Sequence, residues 1–129
     1  MADAATPSSD QAEVILVGCG CPLRGMGWYH AVQMLGGEVP SAKLCHIVEP
    51  WYLGMGAEGP GGPEFAEFRR ATEDEHGVQF HKSLADVPAV AEGVKRLALI
   101  SGRTVDNPRL LGEAIAAGCS IIYLEKPGA

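Results

Sequence analysis

Val14-Ile15-Leu16-Val17-Gly18-Cys19-Gly20 is the stretch on which the fold turns. A short apolar run that stops at a glycine reads as a strand. The Gly-x-Gly that ends it opens a loop that must bend sharply. The strand covers residues 13–17, and beyond the loop residues 27–35 carry Ala31, Met34 and Leu35 at helical spacing until Gly36-Gly37 stops the pattern. The order is strand, glycine loop, helix. Gly18 and Gly20 suit a loop whose backbone N–H groups approach a phosphate at a helix N-terminus, although a strand-to-helix turn that binds nothing would use the same residues.

Working outward, the alternation repeats. Residues 42–48 form a second strand that ends at Glu49, with Pro50 preventing regular extension. Residues 54–63 hold five Gly and two Pro and are expected as a loop, because ordering so many glycines is costly in chain entropy. A charged surface helix follows over 65–75, with Phe65, Phe68 and Ala71 or Thr72 inward, and then a short strand over 78–80. Ser83 begins a helical segment that Asp86 answers as a weak capping box. A buried strand over 97–100, a helix over 108–117 opened by Asn107-Pro108 and stopped by Gly118, and a strand over 120–124 complete the series. The fold class is therefore α/β, a doubly wound and mostly parallel five-stranded sheet, Rossmann-like, in the order 3-2-1-4-5 with helices on both faces. That order places the loops after the first and fourth strands at the switch point, where such sheets bind ligands.

The 129 residues, 47% hydrophobic, are enough for one domain over 13–129 behind a tail, 1–12, expected to be disordered. Ten Lys and Arg against 16 Asp and Glu argue against a nucleic-acid partner and favour a small molecule. No apolar run approaches the roughly 20 residues of a membrane span, and no basic segment leads into an apolar one at the start. A soluble, cytoplasmic protein without a membrane partner is expected. Of the four cysteines, Cys19, Cys21, Cys45 and Cys119, only the first two are close, at a spacing unlike that of zinc sites, so no metal is expected.

Glu49 stands at the end of the second strand, where a carboxylate accepts hydrogen bonds from adenosine ribose hydroxyls and repels a 2′-phosphate. The expected cofactor is NAD rather than NADP. The third glycine of the usual pattern would fall at position 23, occupied by Leu23; Cys21-Pro22-Leu23-Arg24-Gly25-Met26 intervene before Gly27, so the loop is about four residues longer than the pattern. Arg24 in the enlarged loop is placed to pair with a phosphate, and Trp51 and Tyr52 to cover an adenine face or simply to pack.

Ala116-Ala117-Gly118-Cys119-Ser120-Ile121-Ile122-Tyr123-Leu124-Glu125-Lys126-Pro127 resembles the helix, glycine, strand and Glu-Lys-Pro signature of the Gfo/Idh/MocA oxidoreductases, and Gly27-Trp28-Tyr29-His30 resembles their Gly-x-x-His. The resemblance implies a Rossmann domain that binds NAD or NADP. It also implies hydride transfer between nicotinamide and a sugar, polyol or similar secondary alcohol, with a second domain supplying the substrate pocket and a catalytic histidine. Lys126 would be the catalytic lysine beside the nicotinamide, and Glu125 would orient it or contact the cofactor's ribose region. Ser101-Gly102-Arg103-Thr104 stands where the family carries a Thr-Pro-type turn, leaving Ser101 and Arg103 as cofactor-side residues, and Asn107 stands where it carries a histidine. His30 and His46 read as hydrogen-bonded structural histidines, His76 and His81 as solvent-facing. With no second domain in the sequence, the expectation is a truncated chain that binds cofactor and turns over little by itself. A polyol or sugar substrate would need a domain from elsewhere, and self-association or a partner subunit is compatible with this. A non-catalytic NAD-sensing or partner-binding module and a pseudo-Rossmann domain without cofactor are the other readings.

Overall fold

β1 (Ala12–Val17) takes the centre of the sheet, as its unbroken apolar run requires: Val14 and Leu16 bury on one face, Ile15 and Val17 on the other, none above 2% exposed. The structure, a computed structural model, describes residues 3–101 and 106–125; the expectations for Arg103 and Lys126 fall outside them. β1 pairs in parallel with β2 (Ala42–Val48) on one side and β4 (Arg96–Ile100) on the other; β2 pairs with β3 (Gln79–His81) and β4 with β5 (Ile121–Leu124), giving the all-parallel order 3-2-1-4-5. Right-handed crossovers then dictate the layers. The steps from β1 to β2 and β3 run in one direction and carry α1 (Met26–Leu35) and α2 (Gly62–His76) over one face; the step from β4 to β5 runs the other way and carries α3 (Asn107–Ala116) over the opposite face. Ala31 of α1 and Phe65 of α2 close the first core, and Leu110 and Ala114 of α3, with Leu84 and Val87, close the second.

A register shift opposite Val14 and Ile15 leaves Cys45 of β2 without a partner in β1. This bulge changes which residues share a face. Leu44 and Ile47, three apart, both reach the α1 and α2 side, while His46 and Val48 turn to the other. On that other face a polar row crosses four strands. Arg96 is 1% exposed, donates from Nε to Glu13 at 2.5 Å and from Nη1 to the Ala117 carbonyl at 2.7 Å; Glu13 stands 3.8 Å from His46 Nε2, and His46 Nδ1 lies 3.0 Å from His81 Nε2. His81, expected to face solvent, is thus half-buried and paired.

The Gly/Pro segment also departs from expectation. A 3₁₀ turn runs over Met55–Glu58 and α2 already begins at Gly62. The entropy cost of its glycines is offset by a run of backbone hydrogen bonds, among them Gly56 N–H to Trp51 O at 2.7 Å and Phe65 N–H to Gly61 O at 2.9 Å. The indole of Trp51 lies so close over Gly56 that a β-carbon there would be 2.2 Å from its Nε1. Thr72, rather than Ala71, is the inward residue of α2. Ser83 caps its short turn through Ala85 N–H at 3.2 Å. The segment before β1 carries contacts to the body, Ala5 N–H to Gly77 O at 2.9 Å and the Gln11 side chain to Pro40 O at 3.1 Å.

Candidate functional site

The sheet order leaves a crevice at the carboxyl ends of β1, β2 and β4, where neighbouring connections depart to opposite faces. A cleft of about 770 Å³ lies there, lined by Gly18 and Gly20 of the glycine loop, Glu49 to Tyr52 and Met55 beyond β2, and Ser101 and Asp106 beyond β4. Three segments distant in sequence therefore meet at one place. The register brings them: Gly18 N–H donates to Val48 O at 2.9 Å and Ser101 N–H to Val17 O at 2.8 Å, so each strand end is tied to its neighbour's.

Gly18 and Gly20 both take positive φ, 85° and 76°. Gly27 serves the loop differently, by close approach. A β-carbon at Gly27 would lie 2.2 Å from the Gly18 carbonyl oxygen, so α1 can pack against the loop only with glycine at its start. No side chain caps the start of α1, and no acidic residue lies in its first turn. Arg24 is exposed in the same loop, and Leu23 beside it holds φ 67°, a left-handed conformation that a leucine adopts only under strain.

Glu49 is 4% exposed and fully engaged by backbone. Gly20 N–H donates to Oε1 at 2.8 Å, and Trp51 N–H and Tyr52 N–H donate to Oε2 at 3.0 and 3.2 Å. Three charge-assisted bonds repay the burial of the carboxylate and clip the glycine loop to the turn after β2. A second clip lies beneath it. The Tyr52 hydroxyl shares a hydrogen bond with the Cys21 thiol, which together with burial pushes the phenol up to about 12, and the Tyr52 ring stacks on Phe65 at 5.3 Å. Cys19 is wholly buried; desolvation first, and the Glu49 carboxylate second, drive its thiol far above the ordinary range, so it is no nucleophile.

Glu125 lies away from this cleft. Its Oε2 is 2.6 Å from His30 Nε2 on α1, while its backbone N–H continues the β4 ladder to Ile100 O at 2.9 Å. The structure thus joins His30 of Gly27-Trp28-Tyr29-His30 to the end of β5. Gly18, Gly20, Glu49 and Ser101 share the cleft, Gly27 packs beneath the loop, and Arg24 sits on the enlarged loop. Met55 and Asp106 were not readable as lining residues, since each is delivered by a connection whose path no local pattern specifies. Among the described residues no three His, Cys, Asp or Glu side chains come together as a metal site, and no helix is long and apolar enough to cross a membrane. No protein-family model, curated protein or solved structure matches the chain.

Proposed function

We propose that the cleft binds a nicotinamide dinucleotide, NAD in preference to NADP, and that the chain is the cofactor domain of a Gfo/Idh/MocA-like oxidoreductase acting on a sugar, polyol or similar secondary alcohol. The observation that carries this reading is the meeting of Gly18, Gly20, Glu49 and Ser101 around a cleft at the switch point of a 3-2-1-4-5 sheet. The fit is specific in two respects. Gly20 and Gly27 hold backbone where a side chain would intrude, at 3.0 Å from Arg24 O and 2.2 Å from Gly18 O, and the uncapped start of α1 leaves amides for a pyrophosphate. Glu49 would face the adenosine ribose, and the exposed Trp51 and Met55 supply an apolar wall for the base. The bound nicotinamide would supply the hydride chemistry, with Lys126 near it by the resemblance, while Glu125 is held by His30 away from the cleft.

The engagement of Glu49 by three amides favours a second reading, a doubly wound domain whose cleft takes no nucleotide. Calorimetric titration of the folded protein with NAD and NADP separates the two. Saturable binding that favours NAD is expected, and a folded protein that binds neither would leave the second reading in place.

A further inference from the structure

The two oxygens of Glu49 are used unequally. Oε2 holds two amides of the turn that follows β2, those of Trp51 and Tyr52, whereas Oε1 holds one amide of the glycine loop, that of Gly20. A carboxylate oxygen and a phosphate oxygen are the same kind of acceptor for a backbone N–H. The amide of Gly20, which lines the cleft, is therefore already filled by an anion of the protein's own.

Resting on the dinucleotide reading of the cleft, we infer that Glu49 is a built-in competitor for the phosphate of the ligand. In the free protein Oε1 occupies Gly20 N–H. On binding, that amide passes to a ligand phosphate and Oε1 passes to a ribose hydroxyl, while Oε2 stays with Trp51 and Tyr52 as the pivot. The exchange breaks one hydrogen bond and keeps two. It is forced by charge, because a carboxylate and a phosphate oppose each other at one amide. A phosphate-bearing ligand must displace the internal anion, whereas a nucleoside without phosphate need not. The carboxylate that suits the ribose thus also weakens the hold on the diphosphate and makes the cleft selective for ligands that bring both.

The test is calorimetric titration of the wild-type chain and Glu49→Gln with ADP, adenosine and inorganic pyrophosphate. Glu49→Gln is expected to bind ADP and pyrophosphate about tenfold more tightly than the wild type, and adenosine no more tightly. Equal weakening of ADP and adenosine would make Glu49 a ribose acceptor alone and overturn the inference. ADP affinity unchanged by the substitution would overturn it too, yet leave the dinucleotide reading standing. If neither protein binds any of the three, both fall together. A readout on the wild type does not depend on the variant folding. The Gly20 amide resonance should move on saturation with ADP, and an unmoved resonance overturns the exchange.

Discussion

At Gly27 the added methyl of alanine would meet two backbone oxygens, Gly18 O at 2.2 Å and Cys19 O at 2.7 Å, neither of which can move without displacing the glycine loop. Gly27→Ala is expected to lower stability by about 1–3 kcal/mol in urea unfolding, the range of overpacked sites. Leu23 makes the opposite case. It is 73% exposed and holds φ 67°, so Leu23→Gly gives up little burial and relieves a left-handed strain of about 1 kcal/mol; its unfolding midpoint should not fall below that of the wild type. The usual glycine spacing points to position 23, and the structure shows why the chain does without glycine there: the close approach has moved to Gly27. The need for a glycine at the start of the helix was legible, but its contact with Gly18 depends on the path of the longer loop. Glu49 divides in the same way. Its place at the end of a strand follows from the apolar pattern before it, and Trp51 and Tyr52 lie in its own turn, while its hold on Gly20 follows from the pairing of β1 with β2, which no local pattern contains.

Among the elements, the strands were the most legible, because a buried parallel strand is a short apolar run whatever its neighbours. Arg96 marks the limit of that signal. A charged residue ends an apolar pattern, so the fourth strand reads as beginning at Leu97, yet Arg96 belongs to it and is among the most buried side chains. Its burial depends on acceptors far away in sequence, Glu13 and the Ala117 carbonyl. Arg96→Met should therefore cost about 3–5 kcal/mol, as expected when one partner of a buried ion pair is removed. Adding Glu13→Gln should recover part of that loss, and a double-mutant cycle from urea unfolding measures the coupling. The Gly/Pro segment escapes its local signal for a related reason: its order comes from Trp51 and from the start of α2, not from the propensities of its own residues.

For the molecule as a whole, the histidines of the polar row set the response to acid. Burial above all, with His81 and Arg96 adding and the Glu13 carboxylate opposing, lowers His46 from 6.5 to about 4. His81 is also lowered, by burial and Arg96 against the pull of Asp86. Between these pH values the unfolded chain binds a proton that folded His46 does not. The stability from neutral His46 is therefore complete above about 6.5 and is lost as pH falls toward 4, by roughly 3 kcal/mol. Melting curves at pH 7 and pH 4.5 should show that loss, and His46→Asn should flatten the slope. The central position of β1 has a further consequence, felt during synthesis. The ribosome makes Val14-Ile15-Leu16-Val17 before β4, which the strand needs along its second edge, and Ile100 is translated 83 residues after Val17. Until then the most apolar segment of the nascent polypeptide has at best one neighbour and is the natural hold for a chaperone. A strand paired along both edges in the finished protein is thus left with an open edge while it is being made.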